Sequence, residues 1–181
     1  RPSPRDLLAL AVLGLAFFGL FPWLFTLSLQ YTTAARGALA LATAPLMALG
    51  IATVLRMEPF GVVKLAAVLT AIIGVAIALS GDPKALEAVG PDYWIGDLIM
   101  LGAAAIAASY SVGAKPLLAR HPALMVTCLS MIAGAVGLAV PAGVIAVQSG
   151  LPSFDTGGLI AVLFLGIGGG VLQFGLWVWA V

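Results

Sequence analysis

Six stretches of this chain, at about 7–31, 37–55, 62–80, 95–118, 122–147 and 158–181, carry no charged residue through their middles. Each is long enough to cross the roughly 30 Å hydrocarbon core of a bilayer as a helix, which needs about 20 apolar residues. Hydrophobic residues make up 62% of the chain and charged residues 8%, against about 25% charged in soluble domains. A chain of this length keeps much of its surface exposed, so that much apolar surface requires lipid as its solvent. In lipid every backbone donor and acceptor must pair internally, which leaves helices or a closed barrel. The alternating polarity of barrel strands is absent. The expected fold is therefore all-α, a polytopic transmembrane helix bundle.

The connections between runs are rich in Pro, Gly and charge: Glu58-Pro59, a long segment from Gly81-Asp82-Pro83-Lys84 to Asp92, and Gly150-Leu151-Pro152-Ser153. Arg1, Arg5, Arg56, Lys64, Lys115 and Arg120 fall on one side of such a bundle. Arg36 and Lys84 fall on the other, with Asp82, Glu87, Asp92, Asp97 and Asp155. The positive-inside rule makes the first side cytoplasmic. The chain starts at Arg1 with no signal-peptide pattern and ends within an apolar run at Trp179-Ala180-Val181, which reads as a fragment. A net charge of +1 with no basic stripe argues against nucleic acid as a partner. A single cysteine, Cys128, and a single histidine, His121, offer no disulfide and no zinc cluster, so no metal or cofactor is expected.

Shifting the chain by 152 residues lays the first run on the last. Leu7, Ala9, Leu13, Gly14, Leu20 and Leu24 then coincide with Leu159, Ala161, Leu165, Gly166, Leu172 and Leu176. An odd number of crossings separates these runs, so they point in opposite directions, as in an inverted repeat of five helices.

The stretch from Leu27 to Gly81 has an aromatic followed by Thr-Thr-Ala-Ala at Tyr31 to Ala35, then Pro45 in mid-helix. Glu58 closes the next loop, and Gly74-Val75 lies in the following run. In this order of features it resembles the EamA-type drug/metabolite transporter superfamily. The run from Leu163 to Val181 looks like that family's eighth helix, with Trp177-Val178-Trp179 near its end. The resemblance implies ten helices in two inverted halves of five, with both termini cytoplasmic. Residues 1–80 would be the last three helices of the first half, 81–93 an external linker, and 94–181 the first three helices of the second. One departure is Arg56-Met57, where the family often has Leu-Gly.

No charge lies at mid-span. Lys64, Asp97 and Lys115 sit near helix ends and read as interface anchors. Polar and aromatic groups at depth are the candidate substrate-binding residues. Gly166, Gly170, Gln173 and Trp177 share one helical face, which is either a substrate surface or a small-residue packing seam. Ser109 and Tyr110 lie near the middle of the fourth run, where an unpartnered hydroxyl is costly and Tyr110 should turn inward. Pro45 releases the carbonyl of Leu41 near the bilayer centre, beside Thr43. Trp23 follows Pro22 and lines either a cavity or the outer aromatic belt. His121 reads as a loop residue and Cys128 as a packing residue.

The resemblance implies a secondary carrier, not an enzyme, exporting small organic metabolites such as amino acids across a bacterial inner membrane. A small-molecule substrate and the lipid bilayer are the expected partners, and a homodimer is an open alternative to a monomer. A nucleotide-sugar or phosphorylated-sugar translocator of the same superfamily is the nearest rival, although it would want cations in the cavity. A membrane-embedded enzyme would need a nucleophile–histidine pair at depth or clustered carboxylates, and neither is evident.

Overall fold

A computed structural model describes residues 2–59, 61–80, 90–150 and 155–172. The described residues form helices and turns, with no strand among them. Four helices are long and apolar enough to cross a membrane: α1 (Pro4–Ser28), α2 (Ala34–Val54), α4 (Tyr93–Leu118) and α5, apolar over Ala123–Gln148 and ending at Ser149. Two more, α3 (Val62–Ser80) and α6 (156–172), are apolar over shorter described lengths. The protein is a polytopic helical bundle. Large side chains left bare on it, such as Val63 at 83% and Val147 at 88% exposure, are stable only against lipid.

Helices α1, α2 and α6 start two or three residues ahead of their apolar runs because polar caps nucleate them. Ser3 accepts from the Asp6 amide while the Asp6 carboxylate accepts from Ser3, a reciprocal capping box at α1. Thr33 accepts from the Arg36 amide at 3.2 Å and starts α2, and Asp155 accepts from the Gly158 amide at 2.7 Å and starts α6.

Helices α1 and α2 are irregular where they pass the candidate site residues. In α1, Leu15–Leu20 widens to a π-helical stretch, and the Phe21 amide reaches back to the Ala16 carbonyl. The buried positions Asp6, Leu10, Gly14 and Gly19 are thus spaced by four, four and five residues. The wider turn absorbs the extra residue and keeps all four on one face. In α2, the ladder breaks at Ala42–Thr43 between Ala34–Leu41 and Ala44–Val54. Thr43 donates both its amide (3.1 Å) and its hydroxyl (2.6 Å) to the Ala40 carbonyl, and Pro45 has no amide to offer Leu41.

The end of α2 is unusual. The Arg56 amide bonds the Thr53 carbonyl and the Met57 amide bonds that of Ala52, a Schellman closure. Its left-handed position, normally glycine, is occupied by Arg56 at φ 56°.

The long helix α4 is the hub, with α1 and α2 packed along it; α5 lies on α1, and α3 leans more lightly on α2. Met100, Ala103, Ala104, Ala108 and Val112 form a fully buried stripe on α4, where alanines allow close approach. The α1–α5 seam is tighter still. A Cβ on Gly14 would lie 2.3 Å from the Ser130 carbonyl oxygen, so only glycine fits there. Among the described residues, α6 makes no extensive contact with another helix.

Candidate functional site

The sequence candidates fall in different surroundings. Tyr110 is half-buried on α4 and stacks on Phe17 of α1, ring centres 4.4 Å apart, with Phe18 edge-on at 5.6 Å. Its hydroxyl lies close enough to Ser130 to interact with it, but without the geometry of a hydrogen bond, and the Ser130 hydroxyl finds no such partner among the described residues. Phe17, Phe18 and Ser130 had no sequence signal beyond being apolar or small in an apolar run. Ser109 faces the exposed side of α4, its hydroxyl donating to its own helix at the Ala105 carbonyl, 2.7 Å away. Trp23 is 58% exposed and lines an apolar groove of about 710 Å³ between α1 and α5, with Leu15, Gly19 and Pro141. Gln173 and Trp177 lie outside the described residues. Cys128, expected to pack, is exposed.

Pro45 and Thr43, two residues apart and so on opposite sides of the helix, open on different cavities. Thr43 lines a pocket of about 330 Å³ with Arg36, Leu39, Asp97 and Leu101, toward the side that the positive-inside rule makes outer. Pro45 lines an inner pocket of about 350 Å³ between α2, α3 and α4. Ala48, Leu49, Ala67 and Val68 make its apolar walls, and Ser111, Glu58, Lys64 and Lys115 ring its mouth.

That mouth is held by ion pairs. One Glu58 oxygen accepts from Lys115 and the other from Lys64, tying the α2–α3 turn to α3 and to the end of α4. The two ammonium groups, Lys115 first, lower the Glu58 carboxyl from its ordinary 4.5 to about 2. A depressed carboxyl contributes stability that is complete above 4.5 and is lost as pH falls through about 2. The clasp is therefore closed throughout the neutral range.

Two further networks pin the helices at their ends. On the outer side, Asp97 of α4 accepts from the Thr32 hydroxyl at 2.8 Å and pairs with Arg36, whose guanidinium lies 4.5 Å from the centre of the Tyr93 ring. Gly96 permits this: a Cβ there would stand 2.8 Å from the Ser28 carbonyl. On the inner side, Asp6 pairs with Arg120 at 3.1 Å and meets His121 Nε2 at 3.2 Å. Asp97, expected to be an interface anchor, ties two helices; Lys64 and Lys115, expected to be the same, tie the α2–α3 turn to α3 and α4, and the loop residue His121 is half of a contact with α1. One sequence signal could have exposed the outer pair. Arg36 is a cation on the wrong side, in the first turn of a helix whose dipole repels it, and Asp97 lies at matching depth on the same side.

The mouth of the inner pocket is charged and its walls are not, an arrangement suited to a small amphiphilic solute. No curated protein and no solved structure is significantly similar to the chain. The sequence model of the EamA-like transporter family does match, over residues 1–80 and again over 94–181. A multi-pass bundle of apolar helices with pockets between them is the architecture of such a transporter, and the chain belongs to the EamA-like transporter family.

Proposed function

We propose that the protein is a secondary carrier that exports small organic metabolites, amino acids foremost, from the cytoplasm of a bacterial cell through its inner membrane. The observation that carries this reading is the inner pocket. Its volume of about 350 Å³ is at the small-metabolite end of ligand cavities. Its mouth, ringed by Glu58, Lys64 and Lys115, lies on the side the positive-inside rule makes cytoplasmic, so a solute loads from within. Transport then follows from rocking two inverted halves about a membrane-centred path. Family membership supports a transporter over an enzyme. The test is flux into inside-out membrane vesicles with a panel of radiolabelled amino acids. Ala67→Trp, on the exposed face of α3 and in the pocket wall, should abolish uptake while the protein still inserts. Uptake undiminished by Ala67→Trp would reject the inner pocket as the loading site.

A second reading has its own observation. Lys64 and Lys115 supply the paired cations that a translocator of phosphorylated sugars would need. Sugar phosphates belong in the same flux panel, and uptake of these in preference to amino acids would favour that rival.

A further inference from the structure

We propose that Lys64 and Lys115 form the docking site for a carboxylate carried by the solute, and that Glu58 is an internal stand-in which the solute displaces. This rests on the reading that the inner pocket is where solutes load.

The geometry of the clasp is that of a bound carboxylate. The two ammonium groups come from different helices, α3 and α4, and each takes one oxygen of Glu58. They are about half exposed, at 53% and 48%, so an incoming group can reach them. Beyond them the pocket is lined by Ala48, Leu49, Ala67 and Val68, which can receive an apolar stem but offer no side-chain hydrogen bond. A carboxylate on a short apolar body matches both parts.

The turn that delivers Glu58 is strained. Arg56, two residues earlier, is held at φ 56°, a conformation that side-chain-bearing residues rarely adopt. The Schellman hydrogen bonds to Thr53 and Ala52 impose that conformation, and it aims the chain so that the Glu58 side chain reaches α3 and α4 through its two ion pairs. The exchange is also neutral in charge, since one monoanion replaces another between the same two cations. A phosphate would meet the same two cations, but the apolar walls beyond them offer its remaining oxygens no side-chain donor. The consequence for the cycle is a switch of partners. Empty, Glu58 ties the end of α2 to α3 and α4. Loaded, the solute bridges α3 and α4 alone and the end of α2 is released.

Saturation-transfer NMR on the protein in lipid nanodiscs tests this with isobutyrate, its uncharged isostere isobutyramide and inorganic phosphate as probes. Isobutyrate should bind, and the amide and phosphate should bind far more weakly. Glu58→Gln, which removes the competitor and keeps the shape, should tighten isobutyrate by about tenfold or more, the worth of one charged hydrogen bond. Lys64→Met and Lys115→Met should each weaken it by about the same factor. Glu58→Asp, too short to span both amines, should also tighten binding and serves if Glu58→Gln folds poorly. Equal binding of acid and amide, preference for phosphate, or an affinity indifferent to both Glu58 variants would overturn the proposal. The outcome separates from that of the transport reading. Isobutyrate behaving as expected without amino-acid flux rejects the carrier and keeps the site. Flux blocked by Ala67→Trp but unaffected by either lysine variant keeps the carrier and rejects the site.

Discussion

Helices α1 and α6 share residues at five positions 152 apart, and both widen into π-helical stretches, Leu15–Leu20 and Phe164–Leu172. The same shift of 152 carries 15–20 onto 167–172, inside the second stretch. Their surroundings nevertheless differ. α1 buries Asp6, Leu10, Gly14 and Gly19 against its neighbours, whereas the described part of α6 exposes almost every side chain. The backbone irregularity therefore occurs both with and without a packed partner among the described residues. Burial depends on which helices are there to receive the face. Small residues along a helix specify a surface that can be approached closely, not one that is.

Substitutions that add bulk to the two glycine faces sharpen the contrast. The largest difference is expected for Gly14→Leu against Gly166→Leu. The first drives a side chain into the Ser130 backbone, 2.3 Å from the Cβ position, and the second meets nothing within 4 Å. Thermal unfolding in nanodiscs should show about 3 kcal/mol or more lost for Gly14→Leu and within about 0.5 kcal/mol for Gly166→Leu. Equal losses would mean that α6 has a packed glycine seam of its own.

A smaller difference is expected for Gly134→Ala, whose Cβ would stand 2.4 Å from that of Phe18 across the α1–α5 seam. It should cost about 1–3 kcal/mol. Gly169→Ala in α6 has open space around it and should gain about 0.5–1 kcal/mol from helix propensity alone. A gain at both positions, read from the same melts, would break the distinction between a packed and an open face.

The caps provide the smallest effect and the control. Ser3→Ala and Asp155→Ala each remove a side-chain acceptor from a helix start, and each should cost about 1 kcal/mol. Amide hydrogen exchange in the first turn reports this directly. A cap effect confined to α1 would show that the two helices differ already in their local physics.

The spans were legible because twenty or so uncharged residues have one stable form in lipid. The apolar signal of α1, α2 and α6 begins two or three residues after the helix does, since Ser3, Thr33 and Asp155 are polar and lie ahead of it. Pro45 was legible as a break from its chemistry alone, and it does line a pocket. Of the charged ties, only Arg36 with Asp97 left a trace, a cation in the first turn of a helix on the side with few others. Glu58 and Lys115 are 57 residues apart in the chain, Arg36 and Asp97 61, and Asp6 and His121 115. A single sequence contains no term for pairing across such distances, and near a helix end a tie and a snorkelling anchor have the same composition. Tyr110 was legible as an inward-turning residue, but its stack on Phe17 depends on the wide turn in α1, which no residue pattern announced.

The interruption of α2 has a mechanical consequence. Its outer segment is fastened to α4 through Arg36 and Asp97, while its inner segment, Ala44–Val54, walls the pocket and leads to Glu58. That inner segment is a lever arm of eleven residues, about 16 Å long. Pivoting it at Ala42–Thr43 sacrifices no regular helical bond at Leu41, because Pro45 already withholds that amide. A tilt of about ten degrees on an arm of this length carries its far end some 3 Å, roughly one hydrogen-bond length. Such a swing, resisted by the two ion pairs at its tip and by the packing of Leu49 and Ala52 in the bundle, is enough to unseat Glu58 from both lysines while the outer end of the helix stays still.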